Sequence, residues 1–210
     1  MSDLREKPAG TIRITAGEHA AESVLWPTLE KLLPAHPDIK VELVTDYGLT
    51  DIVAERYDAG VRLGEQVSKD MIAVRIGPDL RMAVVGSPSY FAQRPRPKKP
   101  QDLTDHTCIN IRLPTRGGIY AWEFEKRGHA LKVRVDGQLV FNNLAMRMNA
   151  VRAGLGFAYM PEDLVKTDVA QGRLIRVLDD CCSPFSYYPS RRQPVQAFAL
   201  LVDALRYRDR

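Results

Sequence analysis

The residue types best suited to chemistry are the cysteines and histidines, and two of them lie close together. His106 and Cys108 are two positions apart, so in an extended segment they would share a face and the imidazole could activate the thiol. A thiol nucleophile also needs a base that a third group orients, and no such group is evident. The sequence shows no other convergent acid–base set, so we expect no catalytic residues.

A metal site is also poorly supported. Cys181 and Cys182 are adjacent, a spacing at which both side chains cannot easily reach one tetrahedral ion, and no CxxC or HxxxH pattern accompanies them. Three cysteines, two of them neighbours, do not form a disulfide framework. A Walker loop and a GxGxxG motif are both absent. We therefore expect neither a metal nor a cofactor.

A different kind of site is indicated where strands give way to helices. The N–H groups at a helix start carry a partial positive charge and favour small anions such as carboxylates, and in α/β sheets these starts face a crevice beyond the strand ends. One start follows the first strand, another follows Phe141, and the end of the third strand lies on the same rim. The candidate residues are Ala16, Gly17, Glu18, His19, Arg62, Gly64, Asn142 and Asn143.

Each candidate also has an ordinary structural explanation. Glu18 could be a first-turn acid that stabilises its own helix, and its charge would oppose an anionic effector. His19 could be a surface or hydrogen-bonded histidine, and Arg62 could pair with a nearby acid. Asn142 and Asn143 suit helix capping. These alternatives stay open at the level of sequence.

Hydrophobic periodicity orders the first ninety residues as alternating strands and helices. Ile12 and Ile14 alternate with polar neighbours, which is strand periodicity, whereas Leu25 and Leu29 belong to a helical stripe. This order predicts an α/β unit with a mainly parallel sheet. The expected elements are strands Thr11–Thr15, Lys40–Thr45, Asp58–Gly64, Ile72–Ile76 and Arg81–Ser87, a helix from Glu18 to about Leu33 that Pro27 kinks or divides, and a short helix from Thr50 or Asp51 to Tyr57.

The pattern changes at Pro88. The proline-rich stretch 94–100 is expected to be an exposed connector, and this break favours a second core. After a short helix Pro88–Gln93, the expected strands are Cys108–Leu113, a meander of Tyr120–Glu125, Leu131–Val135 and Leu139–Phe141, then Gly156–Met160, Leu174–Leu178 and Phe185–Tyr188; the expected helices run from Asn142 to Gly154, from Pro161 to Lys166, and through Phe198 to Leu205.

Composition limits the class of protein. The chain has 210 residues, 45% hydrophobic and 27% charged, with a net charge of +4, which is ordinary for a globular protein. We expect no membrane span and no secretory signal, and therefore a cytoplasmic protein. The basic residues at 94–99 alternate with prolines, which favours a solvated linker over a DNA-binding patch.

Several strings, taken together, resemble the sensing domain of LysR-type transcriptional regulators. The resemblance covers residues 8–208 in the family's order and is closest to the CrgA-like subgroup, in which Asp70-Met71 and Trp122-Glu-Phe124 recur. One departure is Asp179–Phe185, where relatives carry a tryptophan and a longer segment. The strings are Pro8–Thr15, Leu33–Pro37, Asp51–Gly64, Gly86–Phe91, Pro100–His106, Gly154–Gly156 and Tyr188–Arg192.

The resemblance implies an α/β fold of two lobes, like type 2 periplasmic binding proteins, with two crossover strands as the hinge. Residues 1–9 would end a linker, residues 10–86 with 188–210 would form the first lobe, and residues 87–187 the second. It also implies that regulators of this family hold a small effector at the candidate residues, to which we add Ser87 and Phe157. The domain would form homodimers or tetramers, and DNA would be bound only by an N-terminal winged helix-turn-helix absent from this chain.

Two other classes remain as alternatives. A solute-binding protein of the same fold would carry a secretory signal or a lipobox cysteine, and the sequence shows neither. An enzyme on a two-lobed scaffold would need convergent catalytic or metal-binding residues, which are also not evident. The sequence thus favours an effector-sensing domain, without identifying its effector.

Overall fold

The chain folds into two compact α/β units. The computed structural model describes residues 8–46, 54–63, 72–73, 76–77, 79–112, 118–126, 128–182, 184–185, 187–191 and 196–206. Leu80–Phe185 forms the second unit, and the described residues before and after it form the first unit. Among all these residues, no helix is both long and apolar enough to cross a bilayer.

The elements are numbered in chain order. The strands are β1 (Gly10–Ala16), β2 (Ile39–Thr45), β3 (Ala59–Leu63), β4 (Ile72–Ala73), β5 (Leu80–Gly86), β6 (Cys108–Ile111), β7 (Trp122–Lys126), β8 (His129–Val133), β9 (Val140–Phe141), β10 (Phe157–Pro161), β11 (Ile175–Val177), β12 (Pro184–Phe185) and β13 (Tyr187–Arg191). The α-helices are α1 (Glu18–Ala20), α2 (Trp26–Leu32), α3 (Pro88–Phe91), α4 (Leu144–Arg152), α5 (Glu162–Ala170) and α6 (Gln196–Leu205).

The first unit is built on a five-stranded sheet in the order β2-β1-β3-β13-β4. Strand β1 lies in the middle of three parallel strands, and its Ile12 and Ile14 side chains are buried. Strand β13 returns from the second unit and pairs antiparallel with β3 and β4. Because Ala16 is level with Val61, the carboxyl ends of β1 and β3 meet at one edge, which we call the β1–β3 edge.

A single helical run follows β1, but its middle is not α-helical. A π-helical turn, Ala21–Leu25, separates α1 from α2, and a 3₁₀ turn ends the run at Ala35. Pro27 explains the wider turn, because proline has no N–H to donate and its ring clashes with the carbonyl four residues earlier. The expected helix Glu18–Leu33 is therefore present, and its second α-helical segment begins at Trp26 with Pro27 in its first turn.

The second unit contains a mixed sheet in the order β11-β5-β10-β6-β9. Strands β6, β9 and β10 run parallel, whereas β5 runs antiparallel to β10, β11 and β12. One face of the sheet packs on α4 and α5, with Met148, Val151 and Val165 in its core. The other face packs with the β7–β8 hairpin, through Trp122 and Phe124. Phe141 at the end of β9 is level with Ile111 at the end of β6, and we call this side the β6–β9 edge.

Several strands differ from expectation in their partners. Strand β5 pairs within the second unit, so the boundary falls between Asp79 and Leu80, earlier than residue 86. The expected meander ends after two strands, because β9 pairs with β6 and not with β8. The expected strand Phe185–Tyr188 is two strands, since β12 pairs with β5 and β13 pairs with β3.

The proline-rich stretch 94–100 is exposed at five of its seven residues, as expected, but it does not connect two cores. It lies inside the second unit, where Pro97 and Pro100 are buried. The backbone N–H groups of Lys98 and Lys99 donate to the Asp102 carboxylate at 2.9 and 3.2 Å, which caps a 3₁₀ helix, Pro100–Asp105. The Asp102 side chain thus orders the backbone of a segment whose charged side chains remain exposed.

Two further expectations fall largely outside the described residues. In the segment expected to be a helix from Thr50 or Asp51 to Tyr57, the described residues are 54–57; Ala54–Arg56 form a turn, and Tyr57 is not helical. The strand expected at Ile72–Ile76 is described as Ile72–Ala73, and Gly64 lies outside the described residues.

Candidate effector site

The β1–β3 edge carries the first group of candidate residues. Ala16 ends β1 and is fully buried, while Gly17 is the N-cap of α1 with extended dihedrals, φ −66° and ψ 148°. Gly17 has no side chain, so it cannot cap the first-turn N–H groups of the helix that starts at Glu18. The helical run therefore begins at the buried end of β1 without a side-chain cap.

His19 points into the first unit and is tied to its own helix. Its side chain is buried, and its Nδ1 lies 3.2 Å from the Ser23 hydroxyl oxygen. That hydroxyl donates its proton to the His19 carbonyl at 2.6 Å, which leaves Nδ1 as the donor in the contact between the two side chains. The structure thus supports the interpretation of His19 as a hydrogen-bonded, buried histidine.

Arg62 lies at the same edge by its position in the sheet. It follows Val61 in β3, which is level with Ala16 in β1, and its backbone pairs with Tyr188 of β13. Only the backbone of Arg62 is described. The fold therefore brings Ala16, Gly17 and Arg62 to one edge of the first sheet, as the chain order predicted.

Asn142 and Asn143 lie at the β6–β9 edge of the second unit, directly after β9. Asn143 is the N-cap of α4, and its Oδ1 accepts a hydrogen bond from the Met146 N–H at 2.9 Å. Asn142 is exposed beside it. The capping interpretation of Asn143 is thus confirmed, and the side chain of Asn142 is the more accessible of the two amides.

Ser87 and Phe157 lie at the end of the second sheet that is opposite the β6–β9 edge. Ser87 caps α3 by accepting the Tyr90 N–H at 3.2 Å, and Phe157 is fully buried. Phe157 is level with Cys108, whereas the β6–β9 edge is level with Ile111, a separation of about 10 Å at about 3.3 Å per residue. The structure does not bring these two residues together with the asparagines.

Two buried polar residues beside the β6–β9 edge were missed at the level of sequence. Asn110 in β6 is fully buried, and its Oδ1 has no hydrogen-bond partner among the described residues. Arg147 in the first turn of α4 is also buried, and its Nη1 donates to the Tyr159 carbonyl at 2.9 Å. A polar residue inside the apolar run Cys108–Ile111 was the available signal for Asn110.

His106 and Cys108 do not form a catalytic pair. The Cys108 thiol lies 3.7 Å from the Leu103 carbonyl, which accepts its proton, and burial raises the pKa of the thiol to about 12. The His106 Nδ1 is instead 3.3 Å from the Tyr90 hydroxyl. Within the described part of the chain, no three His, Cys, Asp or Glu side chains are grouped to hold a metal ion.

The family is shown by comparison with known proteins. A family model for the LysR substrate binding domain matches residues 5–210. The chain belongs to the LysR-type transcriptional regulators. Its two α/β units are the two-lobed, periplasmic-binding-protein-like fold of the regulatory domains in this family, for which effector binding, and not catalysis, is the shared role.

Similar proteins support the same assignment. The LysR-type domain is 54% identical over 211 residues to a protein of Pseudomonas aeruginosa PAO1 named for transcriptional regulation, a match that covers 99% of this chain and 69% of that protein. It is 47% identical over 212 residues to the HTH-type transcriptional regulator PgrR of Escherichia coli K12, with 99% and 71% covered. The regulatory domain of AphB from Vibrio vulnificus has a similar structure, with a TM-score of 0.77 and 25% identity over 93% of this chain and 98% of that one.

Proposed function

We propose that this domain senses a small molecule that carries a carboxylate, and that the β1–β3 edge and the β6–β9 edge each carry residues that bind it. The observation that carries the proposal is Gly17, an N-cap without a side chain at the buried end of β1. The positive end of a helix at such a position favours an anionic group. Arg62, at the end of the neighbouring strand β3, would add a charge-assisted hydrogen bond.

The second unit would contribute the β6–β9 edge. Asn142 is exposed there, so its amide can donate to or accept from a polar effector. Asn143 would contribute mainly by capping α4, because its Oδ1 is already engaged by Met146.

Glu18 is the residue that argues for the opposite ligand charge. It occupies the first turn of α1, where a carboxylate repels an anion and would favour an amine. A matched series of benzoate, benzamide and benzylamine separates these cases, because the three probes share a ring and differ in charge. Thermal-shift measurements on the domain should show stabilisation by benzoate or by other carboxylates of a metabolite panel. Stabilisation by the amines alone would contradict the proposed carboxylate.

The location of the site is tested with variants of that experiment. Arg62→Ala should weaken the carboxylate response, whereas Arg134→Ala, which removes an exposed arginine of the second unit, should leave it unchanged. Asn142→Ala should also weaken the response. Asn143→Ser keeps a capping oxygen, so it separates loss of the cap from loss of a ligand contact. Equal stabilisation of all these variants would place the effector elsewhere.

We further propose that the domain acts within a longer, cytoplasmic DNA-binding regulator and self-associates. DNA contacts would come from an N-terminal winged helix-turn-helix, so a gel shift should require the full-length protein. Trp26 on α2 is 57% exposed, a large apolar side chain of the kind that subunit contacts bury. In sedimentation runs at roughly 10–50 µM, Trp26→Glu should shift a dimer or tetramer toward monomer. Ile119→Glu, at an exposed apolar residue of the second unit, is the control.

A further inference from the structure

A cavity lies wholly within the second unit. It is an open groove of about 910 Å³ between α3, the 3₁₀ helix Pro100–Asp105, the turn at Asp136–Gln138 and the carboxyl-terminal end of α4. It lies at the end of the sheet where β6 and β10 begin, since Thr107 and Leu155 line it. The effector site proposed above uses the other end of these strands, so the groove is a separate site.

Glycines let the backbone form the wall of this groove. Gly137 approaches β6 so closely that a Cβ there would meet the Cys108 carbonyl at 2.0 Å. Gly154, with φ +78°, packs against Ser89, whose Oγ would lie 2.6 Å from such a Cβ. The groove is therefore lined by rigid, closely packed segments, which suits the preformed binding sites of small molecules.

His106 presents one nitrogen for binding in this groove. Its side chain is 8% exposed and lines the groove. The Tyr90 oxygen accepts the Thr107 N–H at 3.0 Å, and the only described acceptor for the Tyr90 O–H is the His106 Nδ1 at 3.3 Å. When that O–H donates to Nδ1, the ring carries its proton at Nε2. This N–H donor has no hydrogen-bond partner among the described residues.

The imidazole is held neutral by its surroundings. Burial is the main cause that lowers the pKa of His106, and the Arg94 charge acts in the same direction, against Asp105 and Asp102. Arg94 itself is exposed and lines the groove. A neutral imidazole N–H and a guanidinium together suit a carboxylate. Both groups donate hydrogen bonds, and the guanidinium also carries a positive charge.

The groove also carries acceptors for a positive group. Asp136 is exposed and lines it, with Oδ1 engaged by the Gly137 N–H at 2.8 Å. The Asp105 carboxylate lines it as well. The nine-residue helix α4 ends there, and its C-cap Ala153 and the next residue, Gly154, line the groove; a helix carboxyl terminus favours cations. Donors for an anion and acceptors for a cation therefore line the same cavity.

We propose that this groove binds a small zwitterion of the amino-acid type. Its carboxylate would accept from the His106 Nε2–H and from Arg94, and its ammonium group would donate to Asp136, where the partial negative charge at the end of α4 also favours a cation. The residues of the β1–β3 and β6–β9 edges do not line this groove. The zwitterion would therefore bind without direct contact with the effector.

The probes are the twenty common L-amino acids, each added to the domain at about 10 mM in thermal-shift runs and then titrated by calorimetry. For an amino acid that binds, its N-acetyl derivative and its methyl ester are the matched analogues, each lacking one charge. We expect both analogues to bind at least about tenfold more weakly than the parent amino acid. Failure of all twenty to bind would overturn the proposal, as would equal binding of either analogue.

Variants locate the binding. Arg94→Gln and Asp136→Asn each remove one charge at an exposed side chain, and the asparagine keeps an oxygen for the Gly137 N–H. Each should raise Kd by about fivefold or more, whereas Lys98→Gln, an exposed neighbour outside the groove, should leave Kd unchanged. The ¹⁵N signal of His106 Nε2 should move on ligand addition. Unchanged Kd in both groove variants, or an unmoved His106 signal, would place the ligand outside this groove.

Discussion

The carboxylate of Asp168 accepts hydrogen bonds from Nε and Nη2 of Arg152 at 3.1 and 2.6 Å. The Asp168 side chain is 2% exposed, and Nε of Arg173 donates to it as well, at 2.6 Å. This one buried carboxylate thereby joins α5 to the end of α4 and to the turn that leads into β11. The contacts among these three elements of the second unit therefore depend on a single negative charge.

Replacing that charge should lower stability in a pH-dependent way. The Arg152 guanidinium, with Arg173, holds the pKa of Asp168 below its usual value. We expect Asp168→Asn to reduce the free energy of unfolding by about 1–3 kcal/mol at neutral pH, since the arginines remain partly solvated. Urea unfolding followed by circular dichroism measures this change.

The stability difference between wild type and Asp168→Asn should depend on pH in one direction. A carboxyl group with a lowered folded-state pKa stabilises the fold above its unfolded pKa, about 3.9, and loses that contribution as pH falls through the lowered value. The difference between wild type and Asp168→Asn should therefore be constant above about pH 5 and shrink below about pH 4. Asp203→Asn, at an exposed i,i+3 pair with Arg206, is the control and should change little at any pH. A difference that grows in acid would contradict the assignment.

The N-cap of α4 should contribute measurably to stability. Asn143→Ala removes the acceptor for the Met146 N–H and should cost about 1 kcal/mol, whereas Asn143→Ser should cost less because it keeps a capping oxygen. Asn149→Ala, at an exposed position in the same helix, should change stability by less than about 0.5 kcal/mol. Equal losses for alanine and serine at residue 143 would show that the cap is not the cause.

The three thiols should be unreactive in the folded domain. Cys108, Cys181 and Cys182 are all buried, and burial raises the pKa of Cys108 to about 12 and that of Cys182 to about 11. Because the thiolate is the reactive form, Ellman's reagent at about pH 8 should label the folded domain slowly and all three thiols in urea. A fast-reacting thiol in the folded domain would contradict this.

Two glycines with positive φ should respond differently to alanine. At Gly156, φ is +144° and a Cβ would lie 2.5 Å from the Thr107 carbonyl oxygen, whereas at Gly172 φ is +70° and no heavy atom lies within 4 Å. Gly172→Ala should cost about 1–2 kcal/mol from backbone strain alone, and Gly156→Ala should cost at least about 1 kcal/mol more because backbone must move. Thermal unfolding of the two variants measures the difference, and equal losses would exclude the steric contribution.

Local patterns in the sequence determined the elements and the family. The alternation of Ile12 and Ile14 marks β1, and the asparagine before Leu144 marks the start of α4, because strand periodicity and helix capping depend on neighbours within a few residues. The string order that resembles LysR-type regulators was likewise sufficient for the family and the two-lobed fold. The placement of Gly17 and Arg62 at the β1–β3 edge could be inferred from chain order, because the carboxyl ends of parallel strands lie on one side of a sheet.

Partners distant in sequence were decided only by the tertiary structure. The periodicity of Leu80–Gly86 shows a buried strand and cannot show that it pairs with β10, β11 and β12. The separation of Phe157 from Asn143 follows from strand register, and the proton position on His106 depends on Tyr90, sixteen residues away. Hydrogen bonds and packing between distant segments are chosen by the free energy of the whole fold, so residue types and spacing alone leave them open.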